Sequence, residues 1–159
     1  MVAPRPTGEG TPPEPRMGSL GLERFVAAQH GTYDQALREL RGGAKQSHWM
    51  WFIFPQLAGL GRSSTARFYG IADLAEARAY LAHPLLGARL NECTEAMLSW
   101  AGTLTAVEIL GHTDALKFAS SMTLFDAAGG DERFGRALQV FHGGTCDAQT
   151  MAMLDGSAG

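Results

Sequence analysis

The sequence predicts a single all-α domain of roughly eight or nine short helices, over residues 19–155, behind a disordered Pro-rich tail at 1–18. Three observations carry this. Helix start and stop signals alternate at close spacing from residue 19 onward. No stretch alternates apolar and polar residues at period two for long enough to demand a strand. A length of 159 residues with 45% hydrophobic content suits one core rather than two.

The tail holds five of the seven prolines, Pro4, Pro6, Pro12, Pro13 and Pro15, which deny helix and sheet their backbone donors. It lacks the continuous apolar run of a signal peptide, and Met17 reads as a second start site. Ser19 caps a first helix to about residue 29, with Leu22, Phe25 and Val26 inward. Thr32 caps a second that buries Ala36, Leu37 and Leu40 and stops at Gly42. The run 49–54 is apolar on every side, so periodicity does not decide between strand and helix. Its helical neighbours favour a helix over 47–54, stopped near Pro55. A Ser/Thr cluster from Ser63 starts a short helix through Tyr69. Asp73 and Glu76 form a capping box opening a helix through Leu81. Pro84 suits the first turn of the next, which carries Leu86, Leu90, Cys93 and Met97. Thr105 and Glu108 make a second capping box, ended by Gly111. Thr113 or Asp114 opens a helix to about Ala128. Asp131 opens another, with Phe134, Leu138 and Phe141 inward and Gly143 and Gly144 as its stop. Asp147 opens the last, ending near Leu154.

Composition narrows the function. Thirteen Lys and Arg against sixteen Asp and Glu leave a net charge of −3. No basic excess exists to neutralise a phosphate backbone, so nucleic acid is not an expected partner. The longest apolar run falls far short of the ~20 residues of a membrane span, so no membrane partner is expected and the chain reads as cytoplasmic. Cys93 and Cys146 make neither a disulfide framework nor a four-ligand zinc site. His30, His48, His83, His112 and His142 are scattered without metal-ligand spacing. No metal and no cofactor are therefore expected. The chain has no phosphate-binding P-loop, dinucleotide fingerprint or nucleophile elbow.

Three clusters carry candidate chemistry. In the first, residues 45–56, four aromatics lie within six positions, and Met50, Phe52, Ile53 and Phe54 read as core. The polar border reads differently. Histidine is the side chain suited to moving protons in water near neutral pH, which makes His48 the candidate for proton transfer. Trp49 and Trp51 carry indole donors, and Gln56 an amide, at the rim of a small-molecule site. In the second cluster, Gly59 to Ala66, glycines run into Ser63 and a helix start. Arg62 adds a cation, a combination suited to an anionic ligand. In the third, Lys117 reaches Ser120 and Ser121 along one helix face. A lysine with a lowered pKa activates a serine. The order K-x-x-S reverses the acyl-transfer signature, and buried serines also return their hydroxyls to the helix backbone.

At these clusters a resemblance emerges. Ser47-His48-Trp49-Met50-Trp51-Phe52-Ile53-Phe54-Pro55-Gln56-Leu57 is its most specific part. Gly59-Leu60-Gly61 with Ser63, Ala66 and Tyr69 continues it, then His83-Pro84 with Leu86, Gly87, Arg89 and Leu90. Ile109-Leu110-Gly111 and Lys117 with Ser120-Ser121-Met122-Thr123-Leu124-Phe125 complete it. Over about residues 20–154 this resembles the bacterial domain of unknown function family 1810. The resemblance implies an all-helical fold and leaves the activity open. Some members bear a calpastatin label, which implies a disordered inhibitor and disagrees with the helical patterning here. The family typically has leucine where this chain has Phe118. A more distant similarity is to helical N-glycosidases with a short S-E-H-Y-F-Q motif. Ser47-His48-Trp49 lacks its glutamate, so that chemistry has no evident acid or nucleophile.

Two function classes follow. In the first, the chain binds a small anionic molecule, nucleotide- or sugar-phosphate-like, with hydrolysis as an open extension. His48, Lys117 and Ser121 are then the catalytic candidates. Trp49, Trp51, Gln56, Arg62, Ser63, Tyr69 and Ser120 are the ligand-binding candidates. In the second, the chain is a non-catalytic module whose surface groove takes a partner helix or a second copy. Convergence of His48, Arg62, Tyr69 and Lys117 on one cleft favours the first class. Dispersal, with the aromatics sealed inside, favours the second.

Overall fold

Ten helices form among the described residues, 19–158, of the computed structural model. They are α1 (Ser19–Gln29), α2 (Tyr33–Arg41), α3 (Met50–Ile53), α4 (Ser64–Phe68) and α5 (Leu74–Ala82), followed by α6 (Leu86–Leu98), α7 (Ala106–Leu110), α8 (His112–Ala127), α9 (Glu132–His142) and α10 (Ala148–Ala158). The tail expected over 1–18 lies outside the described residues. The only β pairing among the described residues is an isolated parallel bridge between Leu57 and Ile71. No helix there is long and apolar enough to cross a membrane.

Two helices organise the packing. α8 touches α5, α7, α9 and α10, and α6 touches α2, α3, α5 and α9. α5 and α9 reach both and so join the two halves. Every residue of α8 from Phe118 to Phe125 is buried. A helix enclosed all round has no polar stripe to display, which is why this segment carries serine, threonine and small residues between its aromatics. Ser120 Oγ and Thr123 Oγ1 donate to the carbonyls of Leu116 and Ala119, four residues back.

The caps largely follow the sequence. Thr105 and Glu108 complete a reciprocal capping box on α7. Asp131 caps α9, which ends at Gly143 in the left-handed region. Asp147 Oδ2 accepts the Thr150 N–H at 2.9 Å at the start of α10. The Asp73–Glu76 box is half-formed. Asp73 accepts the Glu76 N–H, but the Glu76 carboxylate takes the Ala72 N–H instead. Gly111, at φ +91°, ends α7 and starts α8 at once, so α8 begins at His112, ahead of Thr113.

The apolar run departs most from expectation. A helix over 47–54 is replaced by the single turn α3, with Trp49 as its N-cap. The cause is Glu39 on α2. Its carboxylate accepts the backbone N–H of Gln46 (2.8 Å) and Ser47 (3.1 Å), the Ser47 hydroxyl (2.6 Å), the Trp49 indole N–H (2.9 Å) and the Gln35 amide (3.0 Å). These bonds hold 46–49 as a turn on α2, and the helix starts only beyond them. The ten helices exceed the rough count of eight or nine, although each falls on a segment expected to be helical.

Candidate functional site

A small cleft opens where α3, α4 and α8 meet. Its lining is Met50, Trp51, Phe54, Gln56, Ala66, Tyr69 and Lys117, and its volume is about 230 Å³ including the open mouth. Buried hydrogen bonds fix each wall. The buried Gln29 side chain donates to the Phe52 carbonyl (2.7 Å) and Tyr80 Oη (3.1 Å), holding α3 to α1 and α5. The Ile71 N–H donates to the Gln56 carbonyl (2.9 Å), and the Ala58 N–H to the Ile71 carbonyl (2.7 Å), which sets Gln56. A Cβ on Gly61 would lie 2.4 Å from the Ala66 Cβ. Only glycine lets this loop close on α4 beside Gln56.

Tyr69 is set from below by Arg24. The Arg24 side chain is 4% exposed and pairs with Glu76 at 3.3 Å. Its Nε donates to the Phe68 carbonyl (2.7 Å), and its Nη2 to the Gly70 carbonyl (2.8 Å). A third bond goes to the Gly21 carbonyl. The residues on both sides of Tyr69 are thus clamped to α1. The Tyr69 ring packs on Phe25 and Phe52. Burial pushes its hydroxyl pKa up, against a smaller opposing pull from Arg24, so at neutral pH it donates rather than carrying charge.

The cationic wall is Lys117. Its ammonium lies 4.9 Å from the centre of the Trp51 ring and 3.5 Å from Asp114 Oδ1. The same carboxylate takes Lys45 at 2.8 Å, and Lys45 lies 5.1 Å from the centre of the Trp49 ring. Two ammonium groups therefore share one carboxylate, each over a tryptophan. The hydrogen bonding of the aromatics separates two groups. Trp49 Nε1 donates to Glu39, Trp100 Nε1 to the Leu40 carbonyl, and the hydroxyls of Tyr33 and Tyr80 bond to Glu92 and Gln29. Among the described residues, the Trp51 indole, the Gln56 amide and the Tyr69 hydroxyl have no such protein partner, and all three line the cleft.

The profile of a family described as "Protein of unknown function (DUF1810)" matches residues 19–154. The chain belongs to the DUF1810 family. A solved structure of the conserved hypothetical protein Rv1873 from Mycobacterium tuberculosis is similar to it, at 48% identity and a TM-score of 0.81. The similarity covers 84% of this chain and 96% of that one. No curated protein matches.

In this DUF1810 chain the site residues read from sequence divide. Trp51, Gln56, Tyr69 and Lys117 meet in the cleft. His48 does not. It is exposed on the turn that Glu39 holds, and it contributes nothing to the lining. Trp49 is fully buried, with its indole on Glu39, and belongs to the core. Arg62 lines a separate, open groove, about 530 Å³ including its mouth, with Gly59, Leu60, Gln149, Ala152 and Met153. Ser63 Oγ is occupied as the α4 cap, accepting the Ala66 N–H at 3.0 Å. Ser120 returns its hydroxyl to the backbone. Ser121 is fully buried and its Oγ has no partner among the described residues. No Lys117–Ser121 hydrogen bond forms among the described residues, so the pairing that would make Ser121 a nucleophile is missing.

Sequence reasoning missed Glu39, Lys45 and Asp114. Asp114 stands three residues before Lys117, a spacing that signals a helical ion pair, but it also reads as a helix start. Glu39 and Lys45 gave no signal, because their partners come from the fold. Among the described residues no group of three or more His, Cys, Asp and Glu is placed to hold a metal ion. Cys93 is buried, and burial first of all pushes its thiol up to about 12, while Cys146 is exposed.

Proposed function

We propose that the chain is a binding domain for a small anionic molecule, seated in the cleft between α3, α4 and α8. One observation carries the reading: the unpartnered donors of Trp51, Gln56 and Tyr69 line the same cleft as Lys117, whose ammonium lies 4.9 Å from the Trp51 ring centre. The buried side-chain polar atoms without a partner among the described residues are Ser121 Oγ and His142 Nε2, so the donors of Trp51, Gln56 and Tyr69 are open to solvent and to a ligand. The enclosed part of the cleft has room for about one water molecule, far below the ~300–1,000 Å³ usual for drug-sized ligands. Only the tip of a charged group enters it, and the rest of the ligand lies outside. The site offers binding rather than hydrolysis, since His48 and Ser121 stand apart from it.

The test is a thermal-shift screen of the full chain against small carboxylates, sugar phosphates and nucleotides, repeated with Lys117→Met, Trp51→Ala and Arg62→Ala. A ligand at ~100 times its Kd adds ~2.7 kcal/mol, several degrees for a domain of this size. The expected result is a shift lost in Lys117→Met and Trp51→Ala but kept in Arg62→Ala. A shift lost only in Arg62→Ala moves the site to the α10 groove. No shift with any anion refutes the reading.

A further inference from the structure

Resting on that reading, we infer that the cleft is a carboxylate site, and that its preference for a single negative charge is set by Lys45 and Asp114, neither of which lines it. The charge count comes from geometry. Asp114 gives Oδ2 to Lys45 at 2.8 Å and leaves Oδ1 to Lys117 at the longer 3.5 Å. Lys45 is the more enclosed lysine, with a side chain 8% exposed against 25% for Lys117. Its backbone N–H is tied to the Ile109 carbonyl at 2.7 Å. The carboxylate is thus drawn toward the lysine away from the cleft, and the lysine in the cleft is incompletely neutralised.

Two formal positive charges on one negative leave an excess of +1. Glu39, the other carboxylate beside this segment, keeps its charge but is turned to Gln35, Gln46, Ser47 and Trp49 by five hydrogen bonds, and it forms no ion pair with either lysine, so the +1 is that of the ion-paired cluster. The remaining polar lining is neutral: the Trp51 indole, the Gln56 amide and the Tyr69 hydroxyl.

A carboxylate matches this site twice. It carries one charge, and its two oxygens offer about four acceptor positions to the Lys117, Trp51, Gln56 and Tyr69 donors. A phosphate monoester carries about −1.5 to −2 at neutral pH. It would bring an uncompensated charge next to Asp114, where partial burial makes that unfavourable. Lys45 and Asp114 are positioning residues here. They act through Lys117 by deciding how much of its charge is free.

The test varies the count without touching the lining. Benzoate and phenyl phosphate share a ring and differ in head group, so they are titrated into the full chain and followed by NMR. Wild type, at +1, is expected to bind benzoate more tightly. Asp114→Asn, at +2, is expected to shift the ratio toward phenyl phosphate by about tenfold. Lys45→Met, at zero, lets Asp114 close on Lys117 and weakens benzoate by about tenfold. Lys45→Arg keeps the count and the wild-type preference. The double variant Lys45→Met/Asp114→Asn returns to +1 and is expected to recover benzoate binding, an outcome that a general loss of structure does not produce. Phenyl phosphate binding wild type as tightly as benzoate overturns the carboxylate assignment and leaves the anion site standing. So does a folded double variant that fails to recover. Failure of both probes to bind wild type overturns the assignment together with the site.

Discussion

Glu39 is the residue on which the aromatic segment depends, and removing its charge is expected to destabilise the domain by a calculable amount. Burial pushes the Glu39 carboxyl up, but the hydrogen bonds from Ser47, Gln46, Trp49 and Gln35 outweigh it and bring the pKa from 4.5 down to about 2. At ~1.4 kcal/mol per tenfold, the full difference would be about 3 kcal/mol. Glu39 is partly open to water, so screening reduces this to about 1–2 kcal/mol. Glu39→Gln keeps an acceptor oxygen and loses the charge, so that range is its expected cost at pH 7. Glu39→Ala also strands the Trp49 indole, which is fully buried, and an unpaired buried donor adds ~1–3 kcal/mol. Because the folded pKa lies below the unfolded one, this stabilisation is present above pH 4.5 and is lost as pH falls toward 2. Urea unfolding followed by tryptophan fluorescence at pH 7 and near pH 3 measures both effects. The expected result is a stability gap between wild type and Glu39→Gln that narrows at the lower pH. A gap below ~0.5 kcal/mol at pH 7, within the range of an ordinary surface substitution, or one of equal size at both pH values, refutes the reasoning.

Three other predictions follow from single features of the fold. Arg24→Met leaves the Glu76 carboxylate, 10% exposed, without its cation and the Phe68 and Gly70 carbonyls without their donor. It should cost ~3–5 kcal/mol in urea unfolding, and a cost under ~1 kcal/mol, the scale of an exposed pair, would show that the clamp carries little. Native-state thiol titration should label Cys146 at once and Cys93 only on unfolding, because Cys93 is buried with its thiol pushed up to about 12; rapid labelling of both thiols contradicts the packing of α6. Thr105→Ala removes the hydroxyl that accepts the Glu108 N–H at 3.1 Å in the α7 capping box. The expected loss is ~1 kcal/mol, or roughly 3 °C in Tm by calorimetry, and an unchanged Tm would count against the cap.

Much of the fold was legible because helix boundaries are written locally. Asp131, Thr105 and Gly143 act through hydrogen bonds or backbone conformations within a few residues of themselves, so composition and spacing reveal them. The segment 47–54 was misread for the opposite reason. Its apolar run is compatible with a helix, and only Glu39, on a separate element, converts its first half into a turn. The candidate site divides along the same line. Trp51, Gln56, Tyr69 and Lys117 stood out as polar or aromatic residues in dense clusters, and they do meet. His48 and Arg62 stood out equally and do not, because the direction of a side chain depends on what its backbone packs against.

The sequence by itself therefore determined the helical class, most of the caps, most of the inward-facing residues of α1, α2, α6 and α9, and the residue types from which an anion site is made. The tertiary structure alone decided which of those residues share a cleft. It also decided that Trp49 is sealed on Glu39 while Trp51 is left open, and that Asp114 is divided between two lysines far apart in the chain. Capping and periodicity are short-range and survive in one dimension. Charge sharing and the orientation of indoles and carboxylates arise only when separate helices come within a few ångströms of each other.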